Sequence, residues 1–517
     1  MSPTEPTVAP AREGGETAKL HRRALGVPDL VFFIVAASAP LTAVAGGQAA
    51  TYLVTGNRAV PFMFIPLGII LALFAVGYAA MSRYLANAGA FYSYVAHGIG
   101  KVQGIGAAFV ALIAYNAMQI GIYGLFGVAF GAFMSGYLGI ELPWWLWCLI
   151  GGGIIAALGV LQVDLNARVL AVVLILEVLI VVLFDVAILA DPGPQGLPLV
   201  GFNPGIAFGA AAGATLTFCV ASFVGFESAA IYSEECRDPR KTVARATFIA
   251  VGLIAVFYAL SSWLLGAAAG FDTIVDPEKL VQAGYATGGA PDPTTVLFVA
   301  GAERLGAIWG TAAALLFATS LFAALLSFHN AVARYMFALG REGVIPSIFG
   351  RVHGTTGAPW TASLSQSTLA FLVVGIFAVL GADPILQLFT WLTNMGALGV
   401  LLLMAVTSFA VVGYFRRNPE SELSRWRSVV APAVAGVLLL LIILVLGVAN
   451  FNVLITGSTE APVNAMAVVL PAILFGGGAV GLAVGSLFKR RNPEIFASVG
   501  EGAGAEAGAE GPTRPDR

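Results

Sequence analysis

Glu227 stands at the end of a long apolar stretch, closing the run Ser222-Phe223-Val224-Gly225-Phe226-Glu227. A helix crossing a bilayer normally excludes a carboxyl and is weakened by glycine. The two belong together where a helix is interrupted. Glycine lets the backbone turn, and the carboxyl either accepts N–H bonds in the unwound segment or takes up and releases a proton. Glu177 is a second carboxyl of this kind. It lies 12 residues beyond Leu165, about 18 Å along a helix rising 1.5 Å per residue. That is near the middle of a hydrocarbon core roughly 30 Å thick. Two roles are open to it: proton exchange, or a structural hydrogen bond to a neighbouring helix. Asp185, eight residues further on, reads as interfacial.

Other polar side chains lie within apolar runs. Tyr115, Asn116 and Gln119 share a helix face and are candidates to line a pocket. Interhelical hydrogen bonding is the competing role. His329, followed by Asn330, offers a proton relay or a structural contact. Phe223, Phe226 and Phe328 could wall an apolar compartment, although phenylalanine in such runs is mostly packing.

A second interruption is written into the first apolar run, LVFFIVAASAPLTAVAGGQAATYLV. Pro40 removes a backbone donor and obstructs the helix before it. A break between Ser38 and Thr42 would make Pro40 the first residue of a new half-helix, where proline is favoured. The free amides that follow, through Ala43, would form an anion site. A simple proline kink is the alternative. Interrupted helices at corresponding positions of two halves point to an inverted-repeat transporter with its site at mid-membrane.

The elements that must carry these residues follow from composition. Of 517 residues, 58% are hydrophobic and 10% charged, against roughly 25% charged in soluble domains. The mean hydropathy is +0.89. About twelve apolar runs reach the roughly 20 residues a span needs: 27–55, 61–81, 102–133, 143–161, 167–189, 206–232, 243–269, 307–339, 360–380, 385–414, 429–448 and 465–488. The expectation is an all-α polytopic membrane protein. Helices 1–5 and 6–10 form a 5+5 inverted repeat, with helices 1 and 6 discontinuous and two peripheral helices following. Residues 27–414 form the ten-helix core and 427–489 helices 11 and 12. The tails 1–26 and 490–517 read as disordered. With the N-terminus inside, only Arg58, Lys279 and Arg304 of the 26 Lys and Arg fall on the outer side. That bias puts both termini in the cytoplasm and the protein in the cell membrane, crossing it many times among lipids.

Several classes are excluded. No basic patch suits a nucleic acid. Walker A and His-Glu-x-x-His sequences are missing, as is Gly-x-Ser-x-Gly, so an enzyme is not expected and no cofactor is implied. Cys148, Cys219 and Cys236 lack metal-ligand spacing and suggest neither a metal site nor a disulfide framework. The short loops leave a receptor or scaffold little to signal with, and no charged ring marks a channel.

The chain resembles the amino acid permeases of the amino acid–polyamine–organocation superfamily. The likeness rests on Gly225-Phe226-Glu227-Ser228 and on Glu234-Glu235-Cys236-Arg237-Asp238-Pro239-Arg240-Lys241-Thr242-Val243-Ala244-Arg245-Ala246. It is supported by Asn87-Ala88-Gly89-Ala90-Phe91-Tyr92, by Arg334-Tyr335 and by Arg341-Glu342-Gly343-Val344-Ile345-Pro346. It runs from about Gly26 to Tyr414. The resemblance implies a LeuT-like fold and an amino acid or amine substrate. Relatives have a glycine-rich break in helix 1, where this chain has Ser38-Ala39-Pro40-Leu41-Thr42. Some carry a lysine in mid-helix 5 in place of a sodium ion, where this chain has Glu177.

The resulting expectation is a secondary active transporter importing an amino acid by alternating access, with H+ as coupling ion. Its substrate would be bound by Ser38, Ala39, Pro40, Leu41, Thr42 and Ala43 of helix 1 and by Ser222, Phe223, Val224, Gly225 and Phe226 of helix 6. Glu177 and Glu227 are the proton-coupling candidates. An amine or polyamine transporter and an amino acid exchanger are the alternatives. A non-transporting receptor is the remote one.

Overall fold

A computed structural model describes residues 26–85, 90–161, 167–193, 195–227, 239–354, 357–419 and 423–500. Of the expected tails 1–26 and 490–517, residues 1–25 and 501–517 lie outside these, as do Asn87–Gly89 and the segment 228–238 with Cys236. Almost everything described is helix, because long apolar runs in a bilayer can satisfy their backbone polar groups only internally.

The first run yields α1 (Val27–Ala37), a π-helical turn (Thr42–Gln48) and α2 (Ala49–Thr55). Next come α3 (Val60–Met81), a short α4 (Ala90–Gly98), α5 (Lys101–Leu138), α6 (Trp144–Leu161) and α7 (Ala167–Ala190). The sixth run gives α8 (Pro204–Ala207) and α9 (Ala212–Ala221), and α10 (Pro239–Ala269) follows. A loop carrying α11 (Pro277–Gln282), β1 (Ala286–Thr287) and β2 (Ala290–Pro291) leads to α12 (Thr295–Leu305) and α13 (Ala307–Arg341). The chain continues through α14 (Trp360–Val379), a π-helical turn (Pro384–Phe389) and α15 (Thr390–Arg417). It ends with α16 (Ala431–Leu441), α17 (Phe451–Thr456), α18 (Ala465–Arg491) and α19 (Pro493–Ser498).

Among the described residues, ten helices are long and apolar enough to cross a membrane. The first and sixth expected runs are the two missing from that set, because each is cut into shorter pieces.

Long α5 is the hub. At 38 residues it extends about 57 Å. Its glycines admit the tenth run at close range. A Cβ on Gly121 would lie 2.9 Å from the Thr393 amide, and one on Gly124 would lie 2.3 Å from the Pro384 carbonyl. This approach carries Phe389 and Thr393 in toward the broken helices.

The long loop after α10 has more structure than its composition suggests. Asp276 caps α11 by accepting from the amides of Glu278 and Lys279. Gly288 and Gly289, at φ 60° and 83°, make the turn between the antiparallel strands, where two consecutive positive φ angles are needed. Arg58 pairs with Asp272 at 2.6 Å, and Gln195 Nε2 donates to the same carboxylate at 3.0 Å. Arg58, aided by Gln195, holds the Asp272 carboxyl below its ordinary range. The link therefore contributes fully above about pH 4, the unperturbed value, and fades as the pH falls through the lowered one. Both partners are about half exposed, so Asp272→Asn is expected to cost less than about 1 kcal/mol at pH 7. Thermal denaturation should show that small loss at pH 7, and no difference once the carboxyl is protonated in acid.

The C-terminal expectation needs correction. Residues 490–500 do not form a tail free of structure. Beyond α18, α19 folds back against α4 and the end of α13. Ser93 Oγ donates to the Gly500 carbonyl and Ser498 Oγ to the Glu342 carbonyl, while Lys101 Nζ reaches the Ala497 carbonyl. Val499 is fully buried there.

Candidate functional site

Helix α1 ends where Ser38 N donates to the Ile34 carbonyl. Ala39 then takes φ 44°, in the left-handed region that L-residues other than glycine rarely enter. The helix resumes at Pro40, whose ring is compatible with a first helical position. The break is held by Tyr258 of α10, whose hydroxyl donates to the Ser38 carbonyl at 3.1 Å. Pro40 has no N–H, and the Ala43 N–H is taken by the Ala39 carbonyl. The donors left at this helix start are the amides of Leu41 and Thr42. The wider set expected, through Ala43, is corrected to these two.

The sixth run breaks after Ala221. Phe223, Val224 and Phe226 donate to the carbonyls of Val220, Ala221 and Phe223 in tight turns. Gly225 has φ 112°, and its N–H turns aside to Glu227 Oε2 at 2.9 Å. Glu227 Oε1 accepts from the Tyr115 hydroxyl at 2.7 Å, and its carbonyl accepts from Tyr78 at 3.0 Å. Glu227 is thus a buried clamp on the break. Because the Gly225 and Phe226 amides are committed elsewhere, the Ser222 carbonyl has no helical N–H partner among the described residues.

A cavity of about 50 Å³ lies between the two breaks. Ser38, Ala39, Thr42, Ala43 and Gly47 line it from the first run; Phe218, Ala221, Ser222 and Val224 line it from the sixth. Met118 and Ile122 of α5, Ala324 and Phe328 of α13, and Phe389 and Thr393 of the tenth run complete the wall.

Several expected lining residues are elsewhere. Leu41 is fully buried in the core, and Pro40 and Gly225 shape the breaks without facing the cavity. Phe223 packs on Phe64 and Tyr258, and Phe226 on Phe74, so neither forms the expected wall. Tyr115 serves Glu227. Asn116 bonds within its own helix to the Leu112 carbonyl, and Gln119 bridges to the Leu325 carbonyl and to Gln366 of α14. Phe328 alone of the three phenylalanines lines the space.

The second carboxyl connects to the cavity through two hydroxyls. Ser320 Oγ donates to Glu177 Oε2 at 2.7 Å and lies 2.9 Å from Thr42 Oγ1. Glu177, Ser320 and Thr42 are all nearly fully buried. Asp185 is 4% exposed and accepts from Ser261 Oγ at 2.7 Å across to α10. His329, fully buried, bonds through Nε2 to Ser363 Oγ at 2.7 Å, a contact between α13 and α14. Among the described residues, no group of three or more His, Cys, Asp or Glu could hold a metal ion.

The amino acid permease family profile matches residues 25–474. The low-affinity putrescine importer PlaP of Escherichia coli is 27% identical over 355 residues, covering 65% of this chain and 70% of the relative. The branched-chain amino acid permease BcaP of Bacillus subtilis is 24% identical, covering 71% and 76%. The methylthioribose transporter of the same organism is 25% identical, covering 70% and 74%. Among solved structures, the Eremococcus coleocola manganese transporter shares the fold, with TM-score 0.52 and 13% identity over 91% of this chain and 96% of its own.

Proposed function

The chain belongs to the amino acid permease family, and from that premise we propose that it carries an amino acid across the cell membrane by alternating access, coupled to protons. It is a multi-pass membrane transporter; the amino acid, the cycle and the proton are the proposal. The observation that carries it is the cavity bounded by two broken helices. At one break the amide of Thr42, a cavity-lining residue, suits a carboxylate. At the other the Ser222 carbonyl suits an ammonium group. A zwitterion is thereby met by backbone dipoles of both signs, with no charged side chain among the described lining residues.

Glu177 is the coupling residue in this reading. Proton loading at Glu177 changes which partner Ser320 can donate to, and Ser320 in turn contacts Thr42 at the substrate end. Glu227 already accepts two hydrogen bonds that hold the helix-6 break, which suits a fixed structural carboxylate. Similarity to a putrescine importer keeps an amine substrate as the alternative. Uptake of labelled amino acids and amines into proteoliposomes, with and without an inward proton gradient, decides between them.

Both termini are assigned to the cytoplasm from the Lys and Arg distribution, with 27–414 as the transport core and α16–α18 peripheral. A single cysteine at Arg245→Cys, in a chain lacking its native cysteines, should react with an impermeant thiol reagent only after cells are opened. Labelling in intact cells would reverse the orientation.

A further inference from the structure

We infer that the substrate is a neutral amino acid with a small aliphatic side chain, and that Met118, Ile122 and Ala324 form the wall that selects it. The inference rests on the amino acid reading above and adds the side-chain class. It follows from what faces the cavity and what does not. The hydroxyls Ser38, Thr42 and Ser222 sit beside the two breaks, where the substrate's charged ends belong. Away from the broken helices, the wall is Met118, Ile122, Ala324, Phe328 and Phe389, with Thr393; the other lining residues of the two breaks are apolar or glycine. The Thr393 hydroxyl donates to the Phe389 carbonyl at 2.6 Å, so it is already satisfied.

Among the described residues, no charged side chain lines the space. The two buried carboxyls nearest to it are engaged: Glu227 by the Gly225 amide and Tyr115, Glu177 by Ser320. A lysine, arginine or diamine substrate would bring a second positive charge into an apolar wall without a counter-ion. An acidic side chain would lack a cation. Either is heavily disfavoured. Size points the same way. A cavity of about 50 Å³ holds roughly four waters, at 10–15 Å³ of such volume each. Short aliphatic side chains need the least widening of the wall, and aromatic ones the most.

The test is binding to the purified full-length protein, read by competition against labelled valine and labelled putrescine. Alanine and valine are expected to compete at least tenfold better than lysine, glutamate, phenylalanine or putrescine. Preference for lysine, glutamate or phenylalanine would overturn the side-chain assignment and leave amino acid transport standing. Preference for putrescine over every amino acid would overturn both, as would binding of none. Ala324→Asp places a carboxylate on the wall and should raise the affinity for lysine relative to valine at least tenfold. Ala324→Val, a milder change, should shift preference from valine toward alanine. A lysine/valine ratio unmoved by the first, with alanine/valine unmoved by the second, would remove α13 from the selecting wall.

Discussion

Replacing Gly225 with leucine is expected to weaken substrate binding at least tenfold while leaving insertion and folding of the other helices intact. Gly225 holds φ 112° at the point where the sixth run unwinds. An L-residue held at left-handed φ is strained by about 1–2 kcal/mol, and each 1.4 kcal/mol is about tenfold in affinity. A change of φ at this residue reorients the Gly225 amide, which now donates to Glu227. An amide freed from Glu227 would compete for the Ser222 carbonyl on which the proposed ammonium contact depends. The leucine side chain adds bulk beside Val224, which lines the cavity. A loss of at least tenfold is expected, with Gly225→Ala falling between leucine and the parent chain. The check is substrate affinity of the purified variants beside their yield of monodisperse protein. Unchanged affinity in well-folded Gly225→Leu would move the site away from the helix-6 break.

Glu177→Gln is expected to separate binding from accumulation. Glutamine keeps the shape and still accepts the hydrogen bond from Ser320 Oγ, but it cannot titrate. The variant should bind substrate within about twofold of the parent and exchange it across the membrane, because the cavity wall is unaltered. It should lose uptake against a gradient. For one proton per substrate, a one-unit pH gradient supports at most about tenfold accumulation, and the variant should show none. Glu227→Gln is the companion. Its amide end can accept only one of the two bonds that Gly225 N and Tyr115 now make to the carboxylate, so weakened substrate affinity is expected from it. Accumulation that survives Glu177→Gln and fails in Glu227→Gln with affinity intact would move the coupling to helix 6.

The two breaks were legible because proline, glycine and a carboxyl inside an apolar run are punctuation that packing alone does not require. Pro40 and Gly225 pointed to the right turns, and Ala39 at φ 44° marks where the glycine-rich break of relatives would otherwise supply the freedom. The wall between the breaks was not legible. Met118, Ile122, Phe389 and Ala324 look like any core residue in a span, and only the close approach allowed by Gly121 and Gly124 brings the tenth run to the site. Long-range partners were equally hidden. Nothing near Asp185 in sequence announces Ser261, 76 residues away, which donates to it. Gln119 reads as pocket-lining until Gln366 is found beside it. Glu177 was legible as a mid-membrane carboxyl, yet its route to Thr42 needs Ser320 from α13, a residue with no sequence signal. The α19 segment was missed because its flanks have the composition of a solvated tail while Val499 supplies the buried anchor.

Concentrative uptake of labelled valine into proteoliposomes, driven by an imposed inward proton gradient without sodium, tests the central claim most directly. The account predicts a transient accumulation above equilibrium that a protonophore abolishes and that Glu177→Gln does not develop. Uptake no faster than in protein-free liposomes, or accumulation that requires sodium and ignores the pH gradient, would contradict it.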